Sequence, residues 1–225
     1  MEVGGIDVSF TNSSLFMVIA ITAITAFLVL GMRKRALVPG RWQSLAELSY
    51  EFVAGLVRDN VGHQGRAYFP FIFSLFMFIL FANTIGLIPY AFTVTSHIIV
   101  TFALAAVVFA GVTVVAIVKH RMKFFTYFLP KGTPLYMAPL LIPIEMLSYL
   151  ARPVTLSLRL FANMMAGHTM LKVFAGFVIT LGLAGVFPMA VLVALYLLEL
   201  IVAVLQAFVF TILTCLYLHD AIHLH

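Results

Sequence analysis

The stretch Leu140-LIPIEMLSYLARPVTLSLRLFANMMAGHTMLKVFAGFVIT-Leu181 decides the fold, because it reads as one helical pattern far longer than a bilayer is thick. At about 1.5 Å per residue it would measure roughly 60 Å, whereas a hydrocarbon core of about 30 Å needs only about 20 residues. A second long pattern, 187–221, follows a short turn around Gly182, Gly185 and Pro188 and would measure roughly 50 Å. Neither fits upright. Either each helix breaks in two, or the pair lies tilted well beyond the usual ~20°. Pro153 bends the first pattern without supplying a full break. The spacing therefore predicts a tilted, curved helical hairpin.

Upstream, three uncharged runs have spanning length: 14–32, 68–90 and 97–118, the last two joined by a tight turn with Pro89 and Thr93. The leader before the first run holds Glu2 and Asp7 but no Lys or Arg, so a retained transmembrane helix is expected rather than a cleaved signal. The stretch 41–62 differs. It places Trp42, Leu45, Leu48, Phe52, Leu56 and Val57 at helical spacing among Glu47, Glu51, Arg58 and Asp59, the pattern of an amphipathic helix in the membrane interface. The expected protein is an all-α integral membrane protein with a single membrane domain over 1–225. It has five transmembrane helices and one interfacial helix, and the last two spans form the hairpin.

Composition requires the same solvent. Apolar residues make up 64% of the 225 and charged residues 9%, against roughly 45–50% and about 25% in ordinary globular chains. Mean hydropathy is +1.14. Too little polar surface exists to cover such a core in water, which excludes a soluble globular enzyme, a disordered chain and a coiled coil. The net charge of +5 reflects topology and not nucleic acid. Ten of the 13 basic residues fall in two segments: Arg33, Lys34, Arg35, Arg41, Arg58 and Arg66, then Lys119, Arg121, Lys123 and Lys131. Basic loops stay on the cytoplasmic or matrix side, which puts the N-terminus and the turn at 90–96 outside. Five crossings return the C-terminus to the inside. Cys215 is the single cysteine, so no internal disulfide forms.

The remaining basic residues, Arg152, Arg159 and Lys172, sit on the long helix with Glu145 and His168, while Glu199 sits on its partner. A central Arg costs from about 2.5 to above about 10 kcal/mol in a bilayer, so such groups pair, snorkel or work. Arg159 lies near the middle, where snorkelling is hardest. Its helical neighbours Thr155, Ala162 and Ala166 are small, leaving a groove that a second helix can approach closely. Guanidinium keeps its proton, so this is a permanent charge whose natural counterpart is a carboxylate.

Glu145, Arg152 and Arg159 form one stripe, because seven-residue steps turn only about 20°; Asn163 lies close to it. His168 and Lys172 fall on the opposite face towards the outer end, and Glu199, Gln206 and Tyr217 make a polar track on the last helix. The layout suits a proton path interrupted in its middle, with His168 and Glu199 exchanging protons and Arg159 blocking a continuous wire. Arg152 and Lys172 either join that path or snorkel. Tyr217 joins it or anchors the interface, and Asn83 and His97 line an outer vestibule or satisfy local backbone. His120 reads as a loop residue, and His219, His223 and His225 as a solvated tail in preference to a metal site. A stand-alone transporter would show duplicated halves, and a haem or quinone subunit would need paired deep histidines; His168 is the only deep one.

The run Arg152-Pro-Val-Thr-Leu-Ser-Leu-Arg159-Leu-Phe-Ala-Asn163-Met-Met-Ala-Gly167-His168 resembles subunit a of F-type ATP synthases through the pattern Leu-Arg-Leu-Phe-x-Asn-x-x-Ala-Gly. The resemblance extends to Asn83-Thr-Ile-Gly86-Leu-Ile-Pro89 and to Leu205-Gln206-Ala-Phe-Val-Phe, and covers roughly 45–217. It implies five membrane helices ending in a slanted hairpin. It also implies that Arg159 is the essential stator arginine and Glu145 the carboxylate of an inner half-channel. Asn163, His168, Glu199 and Gln206 then belong to the outer half-channel or support the arginine. Many bacterial relatives carry Glu and His in the reverse order at the positions of His168 and Glu199; here the pair is exchanged, as in mitochondrial and alphaproteobacterial members. The implied partners are a c-ring bearing carboxylates, peripheral-stalk b-type subunits and the remaining ATP synthase complex, in a bacterial inner membrane or, alternatively, the mitochondrial one. No metal, cofactor or nucleic acid is implied.

Overall fold

The computed structural model describes residues 2–3, 6–7, 11–33, 39–88, 91–121 and 137–223. Lys34, Arg35, Lys123 and Lys131 of the basic loops, Pro89 and Tyr90 at the expected end of a span, and His225 lie outside these. Two short strands, β1 (Glu2–Val3) and β2 (Ile6–Asp7), pair antiparallel ahead of the helices. The long elements among the described residues are helices: α1 (Asn12–Met32), α2 (Arg41–Val61), α3 (Phe69–Gly86), α4 (Ile98–His120), α5 (Ala138–Thr180) and α6 (Val186–Ile222).

Local chemistry sets these limits. In α1 the hydroxyls of Thr22 and Thr25 donate back to the carbonyls of Val18 and Ile21 at 2.8 Å, which lets polar residues ride in an apolar helix. Helix α2 stops at Gly62, whose φ of +77° is a left-handed conformation that glycine adopts without strain. Helix α3 carries a proline in its first turn, where the lost N–H has no partner anyway. It ends at Gly86, four residues short of the expected 90, because the Leu87 and Ile88 N–H groups fold back onto Thr84 and Ile85 at 3.2 and 3.1 Å.

The long pattern at 140–181 is one helix of 43 residues, and its partner has 37. Pro143 is interior as well as Pro153, since the helix starts at Ala138, earlier than the sequence suggested. Neither proline breaks it. A tight turn over Gly182–Gly185 reverses the chain. The hairpin is closed there so closely that a Cβ on Gly185 would sit 2.5 Å from the Val178 carbonyl oxygen.

Among the described residues, four helical segments are long and apolar enough to cross a membrane: Asn12–Met32, His63–Gly86, Ile98–His120 and Val186–Ile222. The fold is that of an all-α membrane protein. Helix α5 has the length but holds Glu145, Arg152, Arg159 and Lys172. The main core runs through α2 to α6, with Val53, Ile72, Val108, Leu156 and Phe210 among its buried members. Helix α2 packs into that core with Ala46, Val53, Val57 and Val61. Its larger apolar residues Trp42, Leu45, Leu48 and Phe52 stay exposed, so the stripe read from sequence mixed a packing face with an outward face. A smaller cluster of Leu87, Met164 and Ala203 joins the residue after α3 to α5 and α6 beside the polar residues described next.

Candidate functional site

Glu199 is 3% exposed, and neither of its carboxylate oxygens has a hydrogen-bond partner among the described residues. His168 lies beside it, with Nδ1 3.8 Å from Oε1. That is beyond hydrogen-bond length, and about 1 Å of ring movement closes it. The contact depends on Gly167. A Cβ there would lie 2.7 Å from the Glu199 carboxyl carbon, so any larger residue pushes the carboxylate away. On the other side of the ring, His168 Nε2 lies 2.7 Å from the Thr93 hydroxyl, which in turn donates to the Gly86 carbonyl at 3.0 Å.

Thr93 and His168 of this cluster line a cleft of about 810 Å³ whose polar lining also includes Ser96, Thr169, Lys172 and Tyr196. Lys172 is thus a cleft residue. Tyr196 reaches across to donate to the Leu87 carbonyl at 3.2 Å. Beyond Glu199 along α6 comes Gln206, 2% exposed, whose Oε1 accepts from Asn163 Nδ2 at 2.7 Å. Between the two polar pairs lie Met164 and Ala203, both at 0% exposure. The polar track read on α6 is therefore interrupted by an apolar layer.

Arg159 is exposed, as are Thr155, Ala162 and Ala166 beside it. It makes no hydrogen bond and no ion pair among the described residues. The opposite face of the same turns, Leu156, Ser157, Leu160 and Met164, is buried. A permanent cation thus stands on an open face of small side chains.

Towards the other end of α5, Arg152 pairs with Asp220 at 3.2 Å and lies over the rings of Tyr149 and Tyr217, 5.5 and 5.1 Å from their centroids. Tyr149 also shares a 2.7 Å hydrogen bond with Thr113 on α4. Glu145 is half-buried two turns earlier on α5. Asn83 is fully buried and donates to the Ala203 carbonyl at 3.2 Å, leaving its Oδ1 without a partner. His97 precedes α4 and stacks on Phe92, 4.9 Å between centroids. The His219 and His223 rings lie tilted against each other, 4.6 Å between centroids, and His219 is beside Asp220.

His120 is not a loop residue. It ends α4, and its Nε2 meets the Ala221 and Ile222 carbonyls at 3.1 and 3.2 Å, groups that a helix C-terminus leaves open. Sequence reading also passed over Asp220 and Tyr196, and took Thr93 for a turn residue only. Asp220 was traceable as the one carboxylate close to Tyr217; Thr93 and Tyr196 carried no periodic signal.

The family model for the ATP synthase A chain matches residues 14–219. This chain belongs to the ATP synthase A chain family. It is 59% identical to the ATP synthase subunit a of Parvibaculum lavamentivorans, over 99% of this chain and 88% of that one. It is 57% identical to that of Paramagnetospirillum magneticum, over 100% and 94%. The protein of the same name from Rhodospirillum rubrum is 55% identical over 100% and 94%. For an A chain, the built part of the site is the Thr93–His168–Glu199 cluster. Gly167→Ala is expected to leave the protein assembled, since the clash falls on the far end of one side chain. It should nonetheless lower proton flux in reconstituted vesicles about tenfold, because the carboxylate loses its place near His168. Unchanged flux in that variant would show that the close seat has no role.

Proposed function

We propose that this chain is the stator subunit that carries protons through the membrane sector of an F-type ATP synthase, along two offset half-channels separated by Arg159. Membership of the A chain family supports a membrane-sector subunit that works with the rest of the complex. The observation that carries the finer reading is the buried, unpaired carboxylate of Glu199 beside His168, which lines the cleft, set apart from an exposed Arg159 on α5. His168 lies nine residues from Arg159, about 13 Å along the axis and half a turn round it.

In this reading the whole chain is one membrane domain and α5 crosses beside α6, giving five crossings. The N-terminus faces outside and the C-terminus the cytoplasm of a bacterium. A proton enters through a half-channel that involves the cleft, His168 and Glu199, and neutralises a carboxylate on a ring of c subunits. The neutral site rotates into lipid at little electrostatic cost, which a charged one does not. After most of a turn it meets the path at Glu145, with Arg152, Asp220 and Tyr217 close by, and releases its proton inside. Arg159 attracts the carboxylate left behind and keeps the two paths apart. Each proton contributes about 2.3 kcal/mol per 100 mV of membrane potential. Subunits of the b type hold the chain against the ring, and ATP chemistry takes place elsewhere in the complex.

Thiol labelling tests the two paths. In a Cys215→Ala background, Thr169→Cys in the cleft should react with a membrane-impermeant reagent only in right-side-out vesicles. Ser148→Cys, exposed one turn from Glu145, should react only in inverted ones. Labelling of both positions from the same side would defeat the arrangement.

A further inference from the structure

The hydrogen bonds around Thr93 decide which nitrogen of His168 carries the proton. A threonine hydroxyl has one proton to donate and can also accept. The Gly86 carbonyl, 3.0 Å away, can only accept, so the Thr93 proton points there. At 2.7 Å on its other side lies His168 Nε2, which must then be the donor. We propose that Thr93 is a positioning residue that fixes His168 as the Nε2–H tautomer and turns the bare Nδ1 lone pair towards Glu199. This deepens the function proposed above and rests on it for its consequence, though the tautomer itself does not.

The surroundings hold this arrangement in place. Thr93 is 8% exposed, and a Cβ on Gly86 would come within 2.7 Å of its methyl group, so the absence of a side chain at Gly86 seats the threonine against the carbonyl. Inverting the chain of bonds would take the hydroxyl proton from Gly86 and leave that carbonyl without this partner. The titratable groups around the ring are Glu199 from α6, 3.8 Å from Nδ1, and Lys172 one turn along α5 in the same cleft, with the Tyr196 hydroxyl committed to Leu87. Of these groups, Glu199 is the one beside Nδ1. Transfer is then a single step. The carboxylic O–H bond of Glu199 breaks as an N–H bond forms at Nδ1, leaving a carboxylate and an imidazolium whose Nε2–H stays on Thr93. The reverse step returns the proton to Glu199. With the other tautomer Nδ1 would already carry a hydrogen, and the neutral ring could accept nothing from Glu199.

The test is nitrogen NMR of ring-labelled histidine in the reconstituted complex, with the His168 signals assigned by their loss in His168→Gln. For neutral His168 we expect a protonated Nε2 and a bare Nδ1. In Thr93→Val, which keeps the shape and removes the hydroxyl, the two tautomers should mix and ATP-driven pumping should fall about tenfold. Thr93→Ser should restore both the spectrum and the rate. A protonated Nδ1 in the unaltered protein, or a Thr93→Val spectrum identical to it, overturns the proposal and leaves the half-channels untouched. A correct tautomer together with full pumping in His168→Gln would instead defeat the proton path.

Discussion

Replacing Arg159 by Ala is expected to cut ATP-driven proton pumping in inverted vesicles about a thousandfold, to the level of an uncoupled membrane. That factor corresponds to losing one unit-charge attraction at about 4 Å in an effective dielectric of about 20. The geometry argues that little else changes. Arg159 makes no hydrogen bond or ion pair among the described residues and is exposed, so its loss leaves no buried partner unsatisfied and the complex should assemble. The effect therefore falls on function and not on folding. Arg159→Lys should also be badly impaired, because ammonium lacks the planar fork and can lose its proton. Pumping at the normal rate in the alanine variant would remove this residue from the mechanism.

Glu199→Gln should have the second largest effect, and it should move stability and activity in opposite directions. The side chain is 3% exposed and its two oxygens have no hydrogen-bond partner among the described residues. A buried carboxylate without partners opposes folding, so the nearly isosteric amide should leave the complex as resistant to heat as before, or more so. Proton flux should nonetheless fall about a hundredfold or more, the usual loss when a group that transfers a proton is removed. Flux and melting temperature measured on one preparation separate the two. Equal flux would mean that the carboxylate is structural. The double exchange His168→Glu with Glu199→His should recover part of the activity, since the pair again holds one acid and one imidazole; an exchange as inactive as either single loss would sink the idea of a functional pair.

The predicted hairpin of two long helices is present, with 43 and 37 residues joined at Gly182–Gly185. Periodicity sufficed there because a helix is a local structure, closed by bonds four residues apart. The same holds for α2, found at Arg41–Val61 where an interfacial helix was expected at 41–62. Which of its apolar residues are covered was not legible, because Trp42 and Val57 are both apolar and only neighbouring helices decide which is buried. The end of α3 was also misplaced, since the turn that stops it is made by bonds from Leu87 and Ile88.

For the site, the list of ionisable residues came from sequence because charge in an apolar run is conspicuous whatever the fold. The sequence by itself determined the solvent, the helices, the isolated arginine among small neighbours and the family. It did not determine who meets whom. Arg152 with Asp220, Asn163 with Gln206 and Thr93 with His168 are separated by 68, 43 and 75 positions in the chain. Nothing periodic relates them. Their distances follow from how α3, α5 and α6 pack, down to two glycines, Gly86 and Gly167, whose missing side chains let Thr93 and Glu199 come close. Tertiary structure alone settled these contacts, because a hydrogen bond depends on tenths of an ångström, and those are fixed by the packing of side chains brought together from distant parts of the chain.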